Sequence, residues 1–286
     1  MTTIAIVVLY NDSPKIVEGN IRRIAAQVEQ VILIDNSAVA YVESFSLLDK
    51  VTYLPQMHNI GIAAAQNIGI QIAMKEKFDF IFFADPDSFI PSDTVKQLQD
   101  RFLQIQKKDI NIGGVGASAF NLQTNKMISF DNELIKDCPE WETCQLTYLM
   151  NSASLIAVPL FEKVGLMWEE LFIDGVDCEW CWRASYKAQA HFYQDQTIVI
   201  QHRLGNEGKK VGGKVRSIGT SARLFYQYRN YLWLLRKRYV PRKWLIYNGW
   251  KYLIKSVYYP LCVPPHGANL KNIIKGIYHG IKINRK

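Results

Sequence analysis

Short, unbroken apolar runs open the chain. Ile4-Ala-Ile-Val-Val-Leu9 and Val31-Ile-Leu-Ile34 flank a stretch carrying Ile16, Ile21, Ile24 and Val28, the spacing of a helix with one buried face. Strands apolar at every position are covered on both faces, and a helix between them predicts parallel pairing with a right-handed crossover. A third run, Phe78-Asp-Phe-Ile-Phe-Phe-Ala84, lies between a predicted helix over Ile62–Lys75 and another over Asp93–Gln106. The first hundred residues therefore predict a doubly wound, Rossmann-like α/β unit.

From Gly113 the pattern changes. Apolar runs at Val115–Phe120, Leu146–Met150 and Leu155–Val158, joined by polar segments, predict a mixed and partly antiparallel sheet, followed by a helix over Asp177–Lys187. The Gly-rich basic stretch Gly208–Lys214 predicts a loop, after which the sequence becomes aromatic-rich and helix-compatible. This divides the chain into an α/β domain over residues 1–236 and a helical tail over 237–286. A length of 286 residues with 49% hydrophobic side chains suits one large domain and a tail better than several small units.

Charge sharpens the division. The net charge is +8, yet residues 1–202 hold 15 basic and 25 acidic side chains, whereas residues 203–286 hold 19 basic and one acidic, Glu207. An acidic body with a basic end points to a polyanionic partner for the tail, a nucleic acid or an anionic membrane. Trp244–Tyr259 is apolar but interrupted by Lys251 and Lys255 and ended by Pro260, which predicts an interfacial helix over a spanning one. Ile273, Ile274, Ile277 and Ile281 then share one helical face, opposite Lys271, Lys275 and Lys282. An anionic membrane is the favoured partner, with a second copy of the chain as the alternative.

Five cysteines without repeating spacing imply no disulfide framework, and the lone Cys178-x-x-Cys181 lacks the second ligand pair of a zinc site. The first apolar run has no basic residue before it and reads as a strand, not a signal peptide. Gly113-Gly-Val-Gly-Ala-Ser-Ala119 matches a dinucleotide fingerprint in letters only, because it runs into strand-like sequence.

In open α/β sheets ligands bind beyond the carboxyl ends of the strands. Tyr10-Asn11-Asp12, Asp35-Asn36-Ser37 and Asp85-Pro86-Asp87-Ser88 follow the three runs. Asp85 and Asp87 can converge two carboxylates on one divalent cation, Mg²⁺ or Mn²⁺, and His202 at a strand end could complete the ligand set. Asp174, Asp177 and Glu179 crowd three acids into six residues. Arg183 lies four residues after Glu179, on the same helix face, which leaves Asp177 at the helix start as cap or general base.

Taken together these residues resemble the family 2 glycosyltransferases, inverting enzymes with a GT-A fold. Asn59-Ile-Gly-Ile-Ala-Ala-Ala-Gln-Asn67 is similar to the family's N-x-G-x-A-x-x-x-N element, and Asp85-Pro86-Asp87 to its metal-binding D-x-D. Val176-Asp177-Cys-Glu179-Trp-Cys-Trp-Arg183 resembles the E-D-x-D/E-L-x-x-R region, with valine in place of the first acid. The likeness spans roughly residues 3–236, including Gln201-His202-Arg-Leu-Gly205 and Arg223-x5-Arg229-Asn230, and its wording is nearest the bacterial rhamnosyltransferases.

The resemblance implies a GT-A domain with a nucleotide-binding half, a mixed-sheet acceptor half and a helical extension. Asp177 is the implied base. Tyr10, Asp35, Asn59, Asn67 and Asp85 are the implied donor contacts, and Glu179 and Arg183 support the acceptor side or the helix itself. Asp87, with Asp85 and His202, is the implied holder of Mg²⁺ or Mn²⁺. The implied donor is dTDP-L-rhamnose, with a UDP-sugar as the alternative, and the implied acceptor a growing or lipid-linked surface polysaccharide. The expected place of work is the cytoplasmic face of a bacterial membrane. The competing reading is a non-catalytic nucleic-acid binder in which Tyr226, Tyr228, Tyr231 and Trp233, interleaved with Arg223, Arg229 and Arg236, form stacking platforms. The acidic strand ends argue against that groove, so no nucleic acid is expected.

Overall fold

The computed structural model describes residues 1–45, 48–122, 124–128, 134–202, 209–211, 214–216 and 220–282. The strands in chain order are β1 (Thr3–Leu9), β2 (Gln30–Asp35), β3 (Val51–Pro55), β4 (Phe80–Ala84), β5 (Ile112–Asn121), β6 (Lys126–Met127), β7 (Leu134–Cys138), β8 (Thr143–Leu146), β9 (Ser154–Ala157), β10 (His191–His202), β11 (Lys209–Val211) and β12 (Lys214–Arg216). The helices are α1 (Pro14–Ala25), α2 (Val42–Phe45), α3 (Ile62–Lys75), α4 (Thr94–Gln106), α5 (Val158–Val164), α6 (Val176–Ala188), α7 (Ser221–Leu234), α8 (Arg242–Cys262) and α9 (His266–Lys282).

One sheet runs β3-β2-β1-β4-β9-β5-β10-β8-β7, with β6 appended to β5. The first four strands are parallel, β9 is antiparallel to both its neighbours, and β10 returns to parallel pairing with β5. This is the doubly wound half and mixed-sheet half that the hydrophobic pattern predicts. The period of two along each strand explains the unbroken apolar runs. Ala5, Val7 and Leu9 of β1, with Val31 and Leu33 of β2, enter one core beneath α1 and α4. Ile4, Ile6, Ile32 and Ile34 enter the opposite core beneath α3, α5 and α6.

β3 lies where the pattern predicts no strand. Its five residues are each only half-buried at the sheet edge, so they lack the apolar run of strands covered on both faces. β8 ends where the predicted Leu146–Met150 run begins, and residues 208–214, expected as a loop, include the strand β11, which pairs with β12. Gly113–Ala119 lies inside β5, so it opens no helix and carries no dinucleotide fingerprint.

α9 packs along α7, where Leu224, Tyr228 and Ile273 form a small core joined by Tyr252 and Tyr259 of α8. A Cβ on Gly276 would sit 3.0 Å from Tyr228 Cβ, so glycine is what lets these two helices approach. The isoleucine stripe of α9 is split: Ile273 is buried, while Ile274 and Ile281 are exposed. Pro260 does not end α8, which continues to Cys262. No helix among the described residues is long and apolar enough to cross a membrane.

The register sets the working edge. Leu9 pairs with Asp35, Asp35 with Pro55, and Val7 with Ala84, so the polar segments after β1, β2 and β4 emerge from one end of the sheet.

Candidate active site

Asp35 ends β2 and is 1% exposed. One carboxylate oxygen accepts the Ser37 N–H at 2.8 Å, and the other accepts the Tyr53 hydroxyl at 2.6 Å. Tyr53 is a residue that sequence reasoning missed, because its edge strand was not foreseen. Burial and the Asp35 bond push its hydroxyl up to about 12, so it stays a proton donor and fixes the carboxylate's orientation. The Ser37 hydroxyl accepts the Asn11 N–H at 2.7 Å, which ties the β1 and β2 ends together. The Asn36 amide donates to the Gly61 carbonyl at 3.1 Å, while its buried Oδ1 has no partner among the described residues. Tyr10 stands 55% exposed beside these groups in sequence.

The Asp85-Pro86-Asp87 turn follows β4, with Asp87 exposed and Asp85 half-buried. Asn20 of α1 donates to the Pro86 carbonyl at 3.0 Å, and Ser88 bonds Ser152 at 3.1 Å. Phe89 and Gln201 form an antiparallel bridge with bonds of 2.8 and 3.1 Å, so the backbone of His202 ends β10 next to this turn. The side chain of His202 lies outside the described ones. Among the described residues no group of three or more His, Cys, Asp and Glu side chains is gathered tightly enough to hold a metal by itself.

The donor chemistry nevertheless suits a hard divalent cation. Burial pushes the Asp12 carboxyl up, and the Asp87 and Asp35 charges push it further, against the Tyr10 N–H it accepts. Three carboxylates thus share one field at the strand ends, and oxygen-only sites with few protein ligands are what Mg²⁺ and Mn²⁺ accept when phosphate oxygens and water fill the remaining positions.

Asp177 lies in the first turn of α6, after a loop with three left-handed residues, Phe172 (φ 64°), Asp174 (φ 65°) and Gly175 (φ 88°). It is half-buried and accepts the Cys178 N–H at 2.9 Å. Burial holds its carboxyl above the ordinary aspartate range, and the Asp174 charge adds to the shift, while the Cys178 N–H opposes it. A raised pKa suits a group that takes a proton near neutrality. Asp177 lines a narrow crevice with Phe83, Asn151 and Ser154. Phe83 precedes Asp85 by two residues, and Asn151 adjoins Ser152, so the crevice borders the D-x-D turn.

The loop leading into Asp177 is clasped from two sides. Asn59 Oδ1 accepts the Gly61 N–H at 2.9 Å, and the Ile62 N–H reaches the Phe172 carbonyl at 2.8 Å. Gly61 has φ +85°, and a Cβ there would lie 2.6 Å from Phe172 Cδ2. Asn67 is 2% exposed and spent inside the fold: it exchanges bonds of 2.9 and 3.0 Å with the Met167 backbone and donates to Glu169 at 2.8 Å. Those bonds brace the loop and hold the Asn67 amide, expected among the donor contacts, against Met167 and Glu169. From α7, one Asn230 amide reaches the carbonyls of Leu171, Ile173 and Asp174 at 2.7–2.9 Å, and Arg223 forks the Asp174 carboxylate at 2.7–2.9 Å.

Buried Glu179 and partly buried Arg183 pair through bonds of 2.8 and 3.0 Å. Arg183 also donates to the Val164 and Leu166 carbonyls, and Tyr239 donates to Glu179 at 2.6 Å. Both are thereby committed to holding α6. The rings proposed as nucleic-acid platforms are packed inside the protein. Tyr226 stacks on Phe172 at 4.7 Å, Tyr228 and Trp233 are buried, and Arg229 covers the Tyr226 and Trp233 rings.

The chain is similar to known proteins in sequence and in fold. Residues 4–165 match the family described as Glycosyl transferase family 2. A dTDP-rhamnosyl transferase RfbF of Shigella flexneri is 30% identical over 253 residues, covering 83% of this chain and 81% of that protein. Among solved structures, S. aureus TarS 1-349 in complex with UDP-GlcNAc aligns over 99% of this chain and 81% of its own, at TM-score 0.62 and 12% identity. GalNAc-T7 with UDP, GalNAc and Mn²⁺ aligns over 92% of this chain at TM-score 0.55 and 12% identity, and this chain spans 58% of it.

Proposed function

The chain belongs to glycosyl transferase family 2, and from that premise we propose that it moves L-rhamnose from dTDP-L-rhamnose to a growing or lipid-linked surface polysaccharide by one inverting displacement. The donor follows from the name of the Shigella relative and from an acidic strand edge that can orient a nucleoside through Asp35. The observation that carries the mechanism is Asp177, a carboxylate with a raised pKa lining a crevice that borders the D-x-D turn.

Asp177 accepts the proton of the acceptor hydroxyl as that oxygen bonds the anomeric carbon from the face opposite the diphosphate. The bond from the anomeric carbon to the diphosphate oxygen breaks, and dTDP leaves with its electron pair. Asp87, with Asp85 and His202, would hold Mg²⁺ or Mn²⁺, which would supply positive charge for the departing diphosphate. Tyr10 and Asn59 complete the donor surface, and Asp35 receives hydrogen bonds from the nucleoside on lone pairs that Ser37 and Tyr53 leave open.

The decisive experiment is Asp177→Asn. Transfer should fall by roughly 10²–10⁴-fold, while calorimetric affinity for dTDP with Mg²⁺ stays at the parent value. The parent's rate should fall as pH drops through a pKa above that of ordinary aspartate, because the base works only when ionised, and the variant should lack that acid limb. Near-normal transfer by the variant would remove Asp177 from the reaction. Preferential hydrolysis of a UDP-sugar by the parent would reassign the donor.

The tail's role also belongs to this reading. Ile246, Trp250, Leu253, Ile254, Val257 and Leu261 make a stripe on one side of α8, each 60–71% exposed. Such a ridge, on a tail with 11 basic residues and no acidic one over 237–286, is complementary to an anionic membrane surface. We assign it to peripheral docking at the inner face of a bacterial membrane, with residues 237–286 as the docking element of the domain over 1–236.

A further inference from the structure

α7 and α8 meet across a polar seam beside the base loop. Arg223 and Gln227 lie one turn apart on α7, Lys251 and Lys255 one turn apart on α8, and the Lys255 ammonium donates to Gln227 Oε1 at 2.9 Å. Lys255 also lies over the Tyr252 and Tyr259 rings, 5.7 and 5.6 Å from their centroids. Asp174 is the carboxylate of this seam, and Arg223 has already taken it with three bonds. Among the described residues no carboxylate lies within ion-pair distance of Lys251 or Lys255.

Three cations therefore share one anion, with Lys255 half-buried in the seam and Arg223 and Lys251 exposed at its rim. Burial, then the charges of Lys251 and Arg223, bring Lys255 down to about 8, with Asp174 pulling the other way. Holding excess positive charge out of water is costly unless an anion arrives to satisfy it. The position is informative because Asp174 precedes the base by three residues. Lys251 lies next to Trp250 and one turn from Ile254, at the border of the exposed apolar ridge.

We propose that Arg223, Lys251 and Lys255 form a subsite for the phosphate or diphosphate that joins an acceptor glycan to a lipid, with the lipid chain leaving past Trp250 and Ile254. This deepens the reading of a lipid-linked acceptor and rests on it. The subsite seats the acceptor from its anionic link while Asp177 receives the proton of its hydroxyl, and one face of α8 serves the phosphate as the adjoining face meets the bilayer.

The test is calorimetry on the full chain with dTDP and Mg²⁺ at saturation, using farnesyl diphosphate, farnesol and inorganic diphosphate as probes. Farnesyl diphosphate should bind saturably and at least about tenfold tighter than farnesol, a margin in keeping with charge-assisted contacts. Lys251→Gln with Lys255→Gln should abolish that preference, and Lys251→Arg with Lys255→Arg should keep it. Lys251→Gln alone, at an exposed position, should weaken it and guards against misfolding of the pair. Equal binding of farnesol and farnesyl diphosphate, or an unaltered preference in the glutamine variants, would overturn the subsite. Inorganic diphosphate binding as tightly as farnesyl diphosphate would mean a free-phosphate site and overturn the lipid-linked assignment. The preceding dTDP titration judges the donor reading separately, since absence of nucleotide binding would sink that reading whatever the farnesyl probes report.

Discussion

Gly61→Ala offers a severe test of how the base loop is held. Gly61 sits at φ 85° and ψ 160°, a region essentially reserved for glycine, where another residue costs on the order of 1–3 kcal/mol. The new methyl would lie 2.6 Å from Phe172 Cδ2 and 2.9 Å from the Phe172 carbonyl. Phe172 cannot withdraw freely, because that carbonyl accepts the Ile62 N–H and its ring is stacked on Tyr226. Overpacking of this kind adds about 1–3 kcal/mol. The sum, about 2–6 kcal/mol, should lower the melting temperature by roughly 4–12 °C in a chain of this size. Phe172 precedes Asp177 by five residues, and if Asp177 is the proposed base a displacement of about 1 Å there costs about 100-fold in rate. Gly19→Ala is the internal control: its Cβ meets only Arg23 Nη1, at 3.9 Å, and replacing a helical glycine gains up to about 1 kcal/mol. Melting curves and steady-state transfer rates on both variants decide the matter. A Gly61→Ala protein that melts and turns over like the parent would refute the clasp.

Asp87→Ala should reduce calorimetric affinity for dTDP in the presence of Mn²⁺ while leaving the weaker metal-free affinity unchanged, and equal loss in both conditions would place Asp87 outside the metal's reach. Trp250→Gln, Leu253→Gln and Val257→Gln together should cut sedimentation with anionic liposomes by about a hundredfold, taking about 1 kcal/mol for each half-immersed side chain. Unchanged sedimentation at physiological salt would turn the ridge into a candidate subunit interface. Deleting the whole tail is a poorer test, because α9 covers Tyr228 and Leu224 of α7.

The legible part of the fold was the part covered on both faces. β1, β2 and β4 alternate between two cores and so carry apolar residues at every position, which no loop or surface strand imitates. β3 escaped because an edge strand with half-buried positions admits Thr52 and Tyr53 without penalty. β7 escaped for the same reason, with four of its five residues exposed. In α9 the letters gave a face of isoleucines, but packing is centred on Gly276 and Gly280, whose lack of side chains leaves no hydrophobic signal. Periodicity revealed the helix and its buried Ile273, but the part of the docking face made of glycines leaves no hydrophobic signal.

The same distinction governs the site. Asp35, Asp85 and Asp87 stood out as candidates because they are acids directly after buried strands, whereas the pairing of Arg223 with Asp174 joins residues 49 apart and has no local signature. Asn67 carries two readings: its letters come with a glycosyltransferase element, and its amide holds Met167 and Glu169. A bracing residue and a ligand-binding residue leave the same mark in a motif, because loss of either disables the site. They part company in measurement. Asn67→Ala strands the buried Met167 N–H and carbonyl, at about 1–3 kcal/mol for the unsatisfied groups, so melting should fall by several degrees with dTDP affinity intact. A loss of dTDP affinity at unchanged melting temperature would return Asn67 to the donor surface and show that the bonds to Met167 are incidental.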